Sequence, residues 1–496
     1  MHDHGKSDRP VVPAKPPNNP AVAGAEVVEG RGLPEGNTAS ETRPGRSAGQ
    51  GVSSDLDRVR QVARKDRDVR FTALLHHVTV DRLREAYRAI SPNAAPGVDG
   101  VTWRDYGLDL EANLRDLHAR VHRGAYRARP TRRVFIPKPD GRQRPLGVAA
   151  LEDKILQRAV VEVLNAIYEQ DFLGFSYGFR PGRSQHDALD ALAVGIMRKK
   201  VNFVLDADLR DFFTSLDQSW LVRFLEHRIA DKRVLRLIQK WLRAGVIEDG
   251  EWSRTEEGTA QGAAASPLLA NVYLHYVFDL WADQWRRRHA RGDMILSRFA
   301  DDYVAAFEQR DDAERFLADL RDRFAQFGLE LALEKTRLIE FGRFAAQNRE
   351  RRGLRRPETF DFLGFTHICA TNRRGGFKLK RVTSKKKMRA KLKSVKTEMR
   401  RRMHHPIPEQ GHWLASVLQG HYNYYAVPDN SEALRGFRDR VIQHWRHALA
   451  RRSQKGWITW ERTHRLADRW LPQPRILHPW PNARFDARTQ GRSPVR

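Results

Sequence analysis

Three carboxylates in this sequence stand where carboxylates are normally avoided. Asp208 closes the apolar run Asn202-Phe203-Val204-Leu205-Asp206-Ala207, and Asp301 and Asp302 lie between Ser297-Arg298-Phe299-Ala300 and Tyr303-Val304-Ala305. Strand ends hold side chains rigidly, and rigid oxygen ligands suit Mg²⁺, which takes one or two carboxylates and keeps positions for substrate phosphates. Two such ions about 4 Å apart activate an attacking hydroxyl and stabilise the leaving oxygen of an in-line displacement. Phosphoryl transfer asks of the protein mainly positioning and charge neutralisation. Asp208 and Asp301 are therefore candidate bridging ligands for two Mg²⁺ ions, with Asp302 in support. An Asp-Asp pair by itself reads more readily as an ordinary acidic turn, so the order of the surrounding motifs decides.

The elements that must position these groups follow an α+β pattern of short strands alternating with helices. Helical periodicity covers 55–75 and 80–90 and stops at Ser91-Pro92. Residues 131–148 predict a hairpin turning at Pro139-Asp140-Gly141. Helices are expected over 153–168, from Ser266-Pro267 to about Arg288 with Ser266 as cap, and over 311–327. The segment 294–307 reads as strand, turn, strand, with Ala300-Asp301-Asp302 as its turn. From about Lys378 to Arg452 the composition predicts a basic helical region.

The 496 residues carry 89 Lys and Arg against 61 Asp and Glu, a formal net charge of +28. Such an excess argues for a polyanionic partner, because basic side chains release counterions when they neutralise phosphates. No apolar run approaches the roughly 18 residues a membrane span needs. Cys369 is the one cysteine, which excludes an intramolecular disulfide and a cysteine-based zinc site and fits a cytoplasmic location. Residues 1–53 are rich in Pro, Gly, Ala and Ser and read as a disordered tail.

Phe299-Ala300-Asp301-Asp302 resembles the aromatic-Ala-Asp-Asp box of reverse transcriptases, and Asp208-Leu209-Arg210-Asp211-Phe212-Phe213 resembles their first catalytic block. Gly258-Thr259-Ala260-Gln261-Gly262 with Ser266-Pro267-Leu268 is similar to the block lining their nucleotide site. Glu334-Lys335-Thr336 and Phe362-Leu363-Gly364-Phe365 are similar to the two that follow. Pro96-Gly97-Val98-Asp99-Gly100, Ile136-Pro137-Lys138 with Arg144-Pro145-Leu146-Gly147, and Ser176-Tyr177-Gly178-Phe179-Arg180-Pro181-Gly182-Arg183-Ser184 resemble blocks of bacterial group II intron-encoded reverse transcriptase/maturase proteins. The resemblance covers roughly residues 55–480. The family more often has Tyr at the place of Phe299, Pro at Ala260, larger residues at Ala263-Ala264-Ala265 and Asp at Thr214.

The resemblance implies a right-hand polymerase. Its expected parts are a tail (1–53), an N-terminal extension with fingers (54–200), a palm (201–370), a helical thumb or maturase domain (371–452) and a basic end without an endonuclease (453–496). It implies an RNA-directed DNA polymerase that binds group II intron RNA, assists splicing, and copies RNA from a DNA primer with dNTPs and two Mg²⁺. Lys138 and Arg144 would clamp the triphosphate, Phe213 would select against a ribose 2′-hydroxyl, Gln261 would contact the nucleotide or template, and Lys335 would protonate the pyrophosphate. Arg180, Arg183, Lys385, Lys386, Lys387 and Tyr424 are expected on RNA. A splicing-only maturase and a host-co-opted, phage-defence type of reverse transcriptase stay open as alternatives, as does the oligomeric state, a dimer included.

Overall fold

The computed structural model describes residues 50–137, 143–248, 251–253, 258–259, 262–452 and 456–489. Among them eleven strands form three sheets: β1 (Thr131–Pro137), β2 (Gln143–Val148), β3 (Phe203–Ala207), β4 (Val246–Glu248), β5 (Glu251–Ser253), β6 (Met294–Phe299), β7 (Asp302–Phe307), β8 (Arg337–Glu340), β9 (Phe360–Phe362), β10 (Phe365–Thr371) and β11 (Phe377–Thr383). The central sheet has the order β6-β7-β3-β8, every pair antiparallel. A second sheet runs β2-β1-β4-β5, and a third β11-β10-β9.

The central strands are near-continuous apolar runs because both faces of their sheet are covered. Side chains alternate across a strand. Leu205, Tyr303, Ala305 and Phe307 enter the core shared with the N-terminal helices and the long helix Leu151–Asp171. Val204, Val304 and Ala306 enter a second core, with the helix Gln185–Arg198 and Phe360, Phe365 and Leu379 of the third sheet. The C-terminal helices Lys385–Arg401, Ile407–Tyr425 and Ser431–Ala450 close a third core around the fully buried Trp445. The α+β class and the polymerase-like division into a small antiparallel sheet and a helical C-terminal region agree with expectation.

Several boundaries differ. The first helix, Gln50–Lys65, stops ten residues earlier than its periodicity suggests. The cause lies far away in sequence. Buried Arg228 accepts no helical continuation there; its guanidinium donates to the carbonyls of Ala63 (3.2 Å), Asp66 (3.3 Å), Arg67 and Val69 (2.9 Å), and pairs with Asp171 at 2.9 Å. The long helix after Ala265 is interrupted by a π turn, His275–Asp279, between Ser266–Leu274 and Leu280–Arg288. Its cap position is Ala265 rather than Ser266. Lys378 to Thr383 is strand, not helix: Leu379, Arg381 and Thr383 alternate inward, a period of two that the high charge obscures. The predicted tail up to residue 49 and the tip of the first hairpin lie outside the described residues.

Candidate active site

The strand register brings the three carboxylates together. Ala207 pairs with Tyr303 across β3 and β7. In an antiparallel pair the next residue on one strand faces the previous residue on the other, so Asp208 and Asp302 are opposed. Phe299 pairs with Asp302 across β6 and β7, leaving Ala300 and Asp301 as a two-residue hairpin turn. Ala300 has φ +57°, the left-handed conformation that such turns demand. Beyond β3, Leu209 bridges Leu331, and the Ala332 amide donates to the Asp208 carbonyl at 2.9 Å. That bridge sets the following turn, from which Lys335 Nζ reaches Asp208 Oδ2 at 2.5 Å.

Electrostatics mark the cluster. Asp302 is exposed at the surface of the site, yet protein crowds it on its other sides. That desolvation, then the charges of Asp301 and Asp208, push its carboxyl up to about 7; Lys387 opposes the rise. Among the described residues no three His, Cys, Asp or Glu side chains stand together as a ready-made metal-holding group. The donor set nevertheless fits a hard divalent cation. It consists of mutually repelling carboxylates, reachable from solvent, on rigid strand ends.

The turn is held from beneath by a charge that sequence reading passed over. Arg298 is 1% exposed. Its guanidinium donates to Asp279 Oδ1 (2.7 Å) and Oδ2 (2.5 Å), Asn271 Oδ1 (3.1 Å), Ser176 Oγ (2.7 Å) and the Ala300 carbonyl (2.9 Å). Asp279 ends the π turn, and such turns re-aim side chains. Burial raises the Asp279 carboxyl, and the Arg298 charge works against that rise. The signal was present in the sequence: one Arg in an apolar strand and one Asp in an apolar helix, each needing a partner. Gly178 completes the support, since a Cβ there would lie 2.2 Å from the Ala300 nitrogen.

Five non-glycine residues have positive φ among the described residues, and four lie in motif loops: Phe179, Asp211, Ala300 and Leu363. Backbone strain of this kind, about 1–3 kcal/mol each, clusters where a site over-determines its loops. Phe213 follows the Asp211 turn, is buried, and meets Phe179 edge-on at 6.4 Å. The Thr259 amide donates to the Phe213 carbonyl at 2.8 Å, and a Cβ on Gly262 would sit 3.0 Å from the Gly147 carbonyl oxygen on β2. Thr259 thus packs on the Asp208 segment, and Gly262 on the first hairpin. Arg144 stands half-buried on β2 opposite Ile136. Lys138, Gln261 and Ala260 lie outside the described residues.

The expected RNA contacts divide. Lys385, Lys386 and Lys387 are exposed in the first turn of their helix, and the Lys387 charge acts on Asp302. Arg180 and Arg183 are corrections. Arg180 is buried, forked on Glu169 at 3.0 Å and donating to the Leu173 and Ser176 carbonyls, both at 2.7 Å. Arg183 donates to the Gly174 (2.5 Å) and Ser176 (3.1 Å) carbonyls. These guanidinia shape the loop under the turn and are not presented to phosphates. Tyr424 is likewise a packing residue: its hydroxyl donates to the Leu363 carbonyl at 2.8 Å, and its ring stacks on Phe365.

Residues 136–367 match the family model described as reverse transcriptase (RNA-dependent DNA polymerase), and this region contains Asp208, the Asp301–Asp302 turn and Lys335. The chain is 35% identical over 238 residues to Protein YkfC of Escherichia coli, covering 47% of this chain and 62% of that protein. It is 32% identical over 222 residues to the group II intron-encoded protein LtrA of Lactococcus lactis, covering 44% and 37%. A shorter match, 30% over 112 residues, covers 21% of this chain and 15% of nuclear intron maturase 2, mitochondrial, of Arabidopsis thaliana. The site therefore sits in a reverse transcriptase domain. The chain is thus similar to reverse transcriptases over residues 136–367, and to a group II intron-encoded protein over 44% of its length. It spans less than two thirds of the length of the E. coli and Lactococcus relatives.

Proposed function

We propose that this protein is the RNA-directed DNA polymerase of a group II intron, which also binds the intron RNA to assist splicing and copies it into DNA during retrohoming. The observation that carries the reading is the register that sets Asp208 against the Asp301–Asp302 turn inside the matched domain. Asp208, Asp301 and Asp302 would hold two Mg²⁺ ions, which supply a lowered hydroxyl pKa and neutralise phosphate charge when bound. Lys335, already on Asp208, neutralises the cluster between turnovers and is placed to give a proton to the departing pyrophosphate. Arg144, with Lys138, offers phosphate-binding charge from the hairpin. Phe213, fixed by the Thr259 hydrogen bond, fills the space a ribose 2′-hydroxyl would need. Lys385 to Lys387 receive the template–primer backbone. No helix among the described residues is long and apolar enough to cross a membrane.

Primer extension on an RNA template with Mg²⁺ tests this. The native chain should extend with dNTPs and discriminate against ribonucleotides, and Phe213→Ala should erode that discrimination by tenfold or more, about 1.4 kcal/mol. A native chain that binds structured RNA and extends nothing would leave a splicing maturase as the reading.

A further inference from the structure

The tip of the β10–β11 hairpin faces an exposed tryptophan across an open notch of about 620 Å³. The tip is preorganised: the Asn372 side-chain oxygen accepts from the Arg374 amide at 2.9 Å and the Gly376 amide at 3.0 Å. Arg373 and Arg374 are exposed there, and neither has an ion-pair partner among the described residues. Opposite stands Trp480, 56% exposed. Lys378 lies under its ring, 5.1 Å from the centroid, and is fixed by Asp429 at 2.6 Å. Asp429 is the fifth residue with positive φ, at +72°. The helix that follows, Pro481–Thr489, is docked by buried Phe485 and by the Arg484–Asp190 pair at 3.1 Å, so Trp480 is held in place from both sides.

We infer that this notch is a binding site for one nucleotide of a single-stranded nucleic acid, separate from the polymerase site. A π face of Trp480 is available for a base, and the two arginines are available for the flanking phosphates. The inference rests on the reading of the chain as a nucleic-acid enzyme, which supplies such a strand. The hairpin gives the distance. Its root is the Leu363-Gly364 turn, bound by Tyr424 and by the Ser384 amide at 2.9 Å from the Gly364 carbonyl. Phe365 and Thr371 are six residue steps apart along β10, about 20 Å at ~3.3 Å per residue. The notch is therefore about six nucleotide steps of a stacked strand from the root of the hairpin. An acidic peptide satisfies the arginines but leaves the tryptophan face without a partner.

Photocrosslinking and binding with the full chain test the site. Single-stranded RNA carrying 4-thiouridine and DNA of the same sequence carrying 4-thiothymidine are the probes. Crosslinking should map to Trp480, and the arm that reacts, RNA, DNA or both, identifies the strand. Trp480→Ala should weaken single-strand binding about tenfold, with Trp480→Phe restoring most of it. The Arg373→Ala/Arg374→Ala double variant should flatten the salt dependence of binding. Extension of a short primer–template should keep its kcat and KM in all three. Native affinity in the variants, or polyglutamate protecting Trp480 as well as the unlabelled strand does, would overturn the site. A native chain that crosslinks at Trp480 yet extends no primer would sink the polymerase reading and leave the site standing.

Discussion

The cations of the central sheet and those of the helix Lys385–Arg401 do opposite things. In the sheet and the loops beneath it, Arg298, Arg180 and Arg228 are buried and committed to carboxylates and carbonyls of the protein itself. On the helix, Lys385, Lys386 and Lys387 are exposed. A net charge of +28 therefore does not read residue by residue as phosphate affinity. In these two regions the buried arginines, each with a fork of five donors, serve as internal braces, and the three lysines are the solvated charge. Substituting one kind should cost fold and catalysis, and substituting the other should cost only binding.

The largest effect separating the two is Arg298→Ala. Removing the guanidinium leaves Asp279 buried without its partner, and breaking a buried pair costs about 3–5 kcal/mol. Urea denaturation should show that loss. The double variant Arg298→Met/Asp279→Leu should recover much of the stability and still fail in extension, because the Ala300 carbonyl has lost its donor. Recovery of both would show that Arg298 has no part in positioning the turn.

The next effect concerns pH. His367, 0% exposed beside β9, and His421, 1% exposed under the C-terminal helices, are both held at about 3 by burial, with Arg381 and Lys391 adding to it. The unfolded chain takes up these protons near pH 6.5 and the folded chain only near 3. Stability is thus full above about pH 6.5 and falls as the pH drops, by up to about 1.4 kcal/mol per unit for each group. His421 stacks on Phe437 at 3.8 Å and His367 on Phe360 at 4.5 Å. His421→Phe should keep the stack and remove one proton from the dependence, read as urea midpoints at pH 7 and 5. An unchanged slope would mean that the C-terminal helices unfold separately from the sheet.

A smaller effect is expected from the exposed side of the comparison. The triple variant Lys385→Ala/Lys386→Ala/Lys387→Ala should leave the urea midpoint in place and lower the salt slope of single-strand binding by roughly two. The smallest is Tyr424→Phe, which removes one hydrogen bond to Leu363. It should cost about 1 kcal/mol of stability and leave RNA affinity unchanged. Loss of RNA affinity instead would restore Tyr424 as an RNA contact.

Much of the fold could be read before the structure because its signals are local. The apolar runs of β3, β6 and β7, the Ala300-Asp301-Asp302 turn and the helix Val80–Arg88, expected over 80–90, all follow from periodicity and turn chemistry. What was missed depends on partners distant in sequence. Arg228 ends a helix more than 150 residues away. Asp279 and Arg298 identify each other only once the π turn brings them together. The β11 strand hides its period of two behind Lys378, Lys380 and Arg381. For the site, the candidate carboxylates stand out because carboxylates at the ends of apolar runs recur within an ordered set of motifs, whereas an Asp-Asp pair alone reads as an acidic turn. Which basic residues are exposed could not be told, because exposure is a tertiary property, and Arg180 looks the same in sequence whether it meets a phosphate or Glu169.

The central claim is that Asp208, Asp301 and Asp302 form the centre of a template-directed DNA synthesis site. Its most direct test is extension of a DNA primer on an RNA template with Mg²⁺ and dNTPs by the native chain and by Asp301→Ala, with RNA binding measured in parallel. The account predicts extension by the native chain, its loss in Asp301→Ala by at least about a thousandfold, and equal RNA affinity in the two. Extension that survives in Asp301→Ala would contradict the account.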